Sequence, residues 1–194
     1  MEQIQTSQNP LGHKSIPSLL TTFAIPSIIA TLVSSLYNIV DQIFIGQGVG
    51  YLGNAATNVS YPLTTICLAL SLLIGIGSAS RFSLSLGAGE EEKACRVVGN
   101  GVCMMILFGL VYAVLIELFL YPMLNAFGAT AENLPYAASY SRIIALGMPF
   151  QIITTGMSSL IRADGSPRYS MTCMLIGAIL NTILDPIFIF VFQL

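Results

Sequence analysis

Three long intervals of this sequence each hold one ionisable side chain among apolar residues. Between Lys14 and Arg81 it is Asp41, between Arg96 and Glu132 it is Glu117, and beyond Arg168 it is Asp185. A charged side chain in the middle of a membrane helix costs about 3 kcal/mol on insertion scales, so a carboxylate there asks for a function. Counting back from Asp41 at helical spacing meets Asn38, Tyr37, Ser34 and Thr31, which predicts a polar stripe on one helix face. Such a stripe belongs against a bundle interior or a wet cavity rather than lipid. Asn181 precedes Asp185 by four residues, so the two share a face and present three side-chain oxygens. Those oxygens could hold a small cation such as Na+, or a desolvated Asp185 could take up a proton. Both options need a partner, and Asp41 supplies one if the two segments pack together, which the sequence leaves open.

The elements that position these acids are membrane helices. The chain has 194 residues, 55% hydrophobic and 8% charged, against about 25% charged in soluble domains. Its mean hydropathy is +0.81. Sixteen charged side chains cannot coat a globule of this size, which excludes a soluble enzyme. Seven basic residues give no footprint for nucleic acid. Cys67, Cys95, Cys103 and Cys173 form no metal or redox spacing, and the single histidine, His13, lies in a polar N-terminal stretch. No short apolar run ends in a cleavage site, so no removable signal is expected.

A span needs about 20 apolar residues, and the intervals accommodate five helices, near 17–45, 55–80, 97–121, 136–161 and 170–192. The fold class is therefore an all-α integral membrane protein. Residues 1–16 are expected to be a cytoplasmic tail. Lys14, Arg81, Lys93, Arg96, Arg162 and Arg168 fall on one side of these spans, and the joints after spans one and three carry no Lys or Arg. That asymmetry predicts a multi-pass protein of the cell membrane with its N-terminus in the cytoplasm and its C-terminus outside. Arg142, near the outer end of span four, is the exception. Glu117 is expected to reach the interface, and Glu90-Glu91-Glu92-Lys93 reads as a solvated helix start. Gly75-Ile76-Gly77 reads as close helix packing, and Pro26 as a bend or a packing feature of span one.

Four stretches carry a family resemblance. They are Pro26 with Leu36-Tyr37-Asn38-Ile39-Val40-Asp41 and Phe44-Ile45-Gly46; Gly75 to Ser80 with Leu84-Ser85-Leu86-Gly87-Ala88-Gly89 and Lys93-Ala94; Leu160 to Arg168; and Leu180 to Phe190. In this order and spacing the chain resembles the N-terminal part of the multidrug and toxic compound extrusion (MATE) transporters, from about residue 15 onward. The resemblance implies one lobe of a two-lobe, twelve-helix exporter that trades organic, often cationic, drugs for Na+ or H+. It assigns a cation site, a possible Na+ position, to Asp41, Asn181 and Asp185, with Tyr37 and Asn38 beside it. It also places Tyr140 at the lobe cavity and a hinge at Pro26. No cofactor beyond the coupling ion is implied. Residues 17–194 would be a partial lobe, truncated after the fifth helix, whose partners are the lipid bilayer, drug-like cations and a missing C-terminal lobe. The rival readings are a lipid-linked oligosaccharide flippase of the same superfamily and a non-transporting membrane subunit. An intramembrane aspartyl protease would carry its second acid in a GxGD sequence, which Asp185 lacks, so no enzyme is expected.

Overall fold

The computed structural model describes residues 15–48 and 50–191. Most of the expected N-terminal tail, with His13 and Lys14, lies outside the described residues, as does the last residue of the expected fifth span. Five helices follow one another: α1 (Ile16–Gly48), α2 (Tyr51–Gly87), α3 (Glu91–Ala126), α4 (Leu134–Ala163) and α5 (Pro167–Pro186), the last continuing as a π-helical segment, Ile187–Val191. All five are long and apolar enough to cross a membrane. The helices overrun the spans expected from apolar intervals, because helix geometry persists through the polar residues that flank a bilayer core. Gly89 and Gly165 close the joints after α2 and α4 at φ of 75° and 85°, a left-handed turn that side chains with a Cβ resist.

Internal prolines are tolerated here to different degrees. Pro122 lies three residues beyond Phe119, whose backbone leaves the helical region at φ −112°, ψ 19°; a proline ring clashes with the preceding turn and removes a donor. Pro26 is buried inside α1, and α1 runs unbroken across it.

The core sits among α2, α3 and α4. Leu63 and Cys67 of α2, Met105 and Ile116 of α3, and Met148 and Ile152 of α4 are essentially fully buried. In lipid, solvent gives helices no reason to hide apolar side chains, so close backbone approach and hydrogen bonds hold them together. Gly75 lies directly against the Gly156 backbone, and Gly109 against Pro149. The Tyr112 hydroxyl donates to the Leu63 carbonyl at 2.7 Å, and Ser60 and Ser141 share a buried hydrogen bond of 2.8 Å. Outside this trio, α1 packs chiefly on α5, touching α2 lightly, while α5 also meets α4. Only Pro26 and Ala30 of α1 are buried. Its outer surface, with Ile25, Leu32 and Leu36 exposed, is what lipid or further protein would cover. Glu90–Lys93 (2.8 Å) and Glu92–Arg96 (2.6 Å) form exposed ion pairs at the start of α3, the arrangement of a solvated helix end.

Candidate functional site

The packing of α1 on α5 closes the question that the sequence leaves open. One turn of α5 carries Asn181 and Asp185, and the Asn181 Nδ2 donates to Asp185 Oδ1 at 3.0 Å. This bond uses one oxygen of the carboxylate and one proton of the amide. Asn181 Oδ1 and Asp185 Oδ2 are left buried, with no hydrogen-bond partner. An unsatisfied buried acceptor costs about 1–3 kcal/mol, and two side by side on one helix face call for a positive partner. Asp41 of α1 lies within electrostatic reach of Asp185, and Tyr140 of α4 within reach of Asp41. Asp41 of α1 is thus the residue that electrostatics links both to Asp185, hydrogen-bonded to Asn181 on α5, and to Tyr140 on α4. The donor set is oxygen only, two carboxylates and an amide carbonyl, which suits a hard cation rather than a metal that prefers nitrogen or sulfur. A proton could serve the same carboxylates.

The two other predicted residues of α1 fall on different seams. Tyr37 sits with Val33 and Val40 in the seam that α1 forms with Ala178 and Thr182 of α5. Asn38, expected on the Asp41 face, instead lines a groove toward α2 with Gln42, Gly46 and Asn54. Three residues correspond to 300° of helix rotation, so Asn38 is offset by about 60° from Asp41. Its amide also turns back to donate to the Ser34 carbonyl at 2.7 Å. The stripe counted from sequence is thus divided between two seams of α1.

The model of the MatE family matches residues 26–187, which spans α1 to the start of the π-helical segment and includes Asp41, Asn181 and Asp185. The chain belongs to the MatE family. Among its relatives are the probable multidrug resistance protein YoeA of Bacillus subtilis (strain 168), 27% identical over 96% of this chain and 41% of that protein. The multidrug export protein MepA of Staphylococcus haemolyticus (strain JCSC1435) is 32% identical over 92% of this chain and 39% of that protein. A solved structure described as the outward-facing conformation of a multidrug resistance MATE family transporter of the MOP superfamily superposes with a TM-score of 0.88. It is 25% identical over 96% of this chain and 41% of that one. This MatE chain spans about 40% of the length of the curated relatives that it matches.

Two features of this MatE chain escape a residue-by-residue reading. Glu117 of α3 and Arg142 of α4, taken singly in the sequence, face each other at 3.8 Å, with the guanidinium 5.9 Å from the Tyr121 ring centre. Glu117 therefore reaches an ion-pair partner as well as the surface, and Arg142 is occupied in that pair. The available signal was two opposite charges near the same end of adjacent antiparallel helices. The second feature is the amide-lined groove between α1 and α2. Its signal was the clustering of Gln42, Asn54, Thr57 and Asn58 around the first joint.

Proposed function

We propose that these five helices form the ion-coupled part of a multidrug exporter that moves drug-like organic cations outward as Na+ or H+ enters. The observation that carries this reading is the pair of buried, unpartnered acceptors on α5, Asn181 Oδ1 and Asp185 Oδ2, on the helix that α1 packs against with Asp41 within electrostatic reach. Such a site is costly when empty and is relieved by a cation or a proton. Binding there draws α1 and α5 together. With few buried side chains, and Pro26 withholding a donor from its own ladder, α1 is the element most free to answer that pull. The similarity to YoeA, a probable multidrug resistance protein, and MepA, a multidrug export protein, supports the substrate class. The basic residues on the α2–α3 and α4–α5 joints support an N-terminus in the cytoplasm of a cell-membrane protein. Alternating access moves one repeat against another around a shared site, so the segment that relatives carry beyond the matched region is the expected partner. The reading requires no enzymatic step, no cofactor and no nucleic acid.

The test is a transport assay on membrane vesicles containing the gene's natural product. Vesicles loaded with a fluorescent cation are expected to discharge it when a Na+ or H+ gradient is imposed. A discharge rate indifferent to both gradients overturns the reading. The flippase alternative would use a free arginine for its anionic ligand, but Arg142 is paired. Arg142→Gln is accordingly expected to leave cation export within about twofold of wild type, since exposed pairs contribute at most about 1 kcal/mol. A loss of tenfold or more at normal membrane abundance would favour an arginine-dependent ligand site.

A further inference from the structure

An open depression lies where α2 and α4 run toward the α2–α3 and α4–α5 joints, lined by Ile76, Ser80 and Ser83 of α2 and by Ser159 and Arg162 of α4. Positions 76, 80 and 83 are four and three residues apart and share one face of α2. Arg162 is the residue that asks for a partner. It is half-buried, and a guanidinium carries five N–H donors. Among the described residues its side chain makes one hydrogen bond, from Nη2 to the neutral Ser159 Oγ at 3.2 Å. Other basic residues at this end are supplied with acids, Lys93 with Glu90 and Arg96 with Glu92, although both are exposed to water. Arg162, more enclosed, has no carboxylate partner among the described residues. Its place in the last turn of α4 suits a cation through the helix dipole, yet its N–H groups bond none of that turn's carbonyls. A half-buried charge left this way is costly and calls for an anion.

Ser80 and Ser83 add two more donors. Ser27, Ser35, Ser60 and Ser71 each spend their hydroxyl on the carbonyl one turn back. Ser80 and Ser83 are exposed, and neither hydroxyl forms a hydrogen bond among the described residues. An anion in the depression thus meets a guanidinium fork and two free hydroxyls, the donor set that oxyanions such as phosphate accept from. One turn from Ser80 toward the middle of α2, Ile76 is 56% exposed. Donors at the end of the span with apolar surface beneath them match the layout of a phospholipid, and an open site admits a ligand that arrives sideways from the bilayer. We propose that this depression binds the phosphate headgroup of an anionic lipid of the cytoplasmic leaflet, with Arg162 holding the phosphate, Ser80 and Ser83 donating to it, and Ile76 meeting the acyl chain. Basic pockets between helix ends on that side of a membrane are suited to such headgroups. The assignment does not depend on the export reading.

The test is lipid binding to the purified full-length product, stripped of lipid in detergent and titrated with phosphatidylglycerol or phosphatidylcholine, the bound lipid being counted by native mass spectrometry. Wild type is expected to prefer phosphatidylglycerol. Arg162→Gln should weaken phosphatidylglycerol about tenfold, the loss of one charged hydrogen-bonding group, and leave phosphatidylcholine unchanged. The paired change Ser80→Ala and Ser83→Ala should weaken it about threefold; these two side chains are exposed, so this variant serves if Arg162→Gln does not fold. Unchanged phosphatidylglycerol binding in both proteins overturns the assignment and leaves Arg162 to a carboxylate from elsewhere in the full-length chain. Equal weakening of both lipids overturns it too, since the change would then be structural. Displacement of phosphatidylglycerol from wild type by millimolar inorganic phosphate would show a site for free phosphate and overturn the lipid as its occupant.

Discussion

On the proposed export function, Asp41→Asn is expected to abolish gradient-driven export while the protein reaches the membrane at normal abundance. The substitution keeps the shape of the side chain and removes only its charge, so packing of α1 is spared. The ion's partners on α5 are then Asn181 Oδ1 and Asp185 Oδ2 alone. Losing one charged ligand of a partly buried cation is expected to cost about 2–3 kcal/mol, or roughly thirty- to over a hundredfold in ion affinity. Asp185→Asn should cost as much, because it also leaves the Asn181 amide without its carboxylate acceptor at 3.0 Å. If both acids hold the same ion, the losses do not add, and the double variant is little worse than either single one. The measurement is dye efflux from vesicles as a function of the imposed Na+ or H+ gradient, in wild type, both single variants and the double. Unchanged efflux in the double variant would sink the assignment. Full additivity would place the two acids in separate sites and overturn the shared-ion assignment.

How far the sequence reveals this arrangement depends on what marks a side chain as unusual. Asp41 and Asp185 stand out because each is the single ionisable group in its apolar interval, and lipid makes that exception expensive. The five helices stand out for the same reason, since long stretches without charge have few other uses. What the sequence hides is which faces meet. In water an amphipathic pattern separates core from surface, but in a bilayer the lipid-facing and helix-facing sides are both apolar. Leu36, exposed on α1, and Leu63, buried on α2, are the same residue in different surroundings, and nothing local tells them apart. The pairing of α1 with α5 therefore needed three-dimensional packing to find. Asn38 was misplaced because a spacing of three residues tolerates a rotation large enough to move it from one seam to the next. Glu117 and Arg142 meet across two helices, and no spacing along one helix records that.

Small residues are the exception to this silence, and they lead to the second large effect. Gly75 and Gly77 share one short apolar stretch of α2, read from sequence as a single packing motif, yet their surroundings differ. A Cβ on Gly75 would stand 2.7 Å from the Gly156 Cα and 3.1 Å from its carbonyl oxygen, whereas one on Gly77 meets nothing within 4 Å. At Gly75 the obstacle is backbone, which yields only if α2 and α4 separate, and their interface is the most extensive in the fold. Gly75→Val is therefore expected to destabilise the protein by about 3 kcal/mol, the upper part of the range for overpacking. Gly77→Val should cost little, since the new side chain faces open space. Gly156→Ala lies between them. Its Cβ would meet the end of the Met105 side chain at 2.5 Å, and a flexible thioether can turn aside where a backbone cannot. The check is thermal stability of the purified protein, read as the loss of monodisperse material on heating. The expected order is wild type and Gly77→Val together, Gly156→Ala below them, and Gly75→Val lowest. If Gly77→Val proves as damaging as Gly75→Val, the stretch acts as one surface and the α2–α4 crossing is not where the helices are clamped. If only Gly75→Val collapses, the clamp lies at that crossing, and α1 and α5 can shift against a trio that stays fixed.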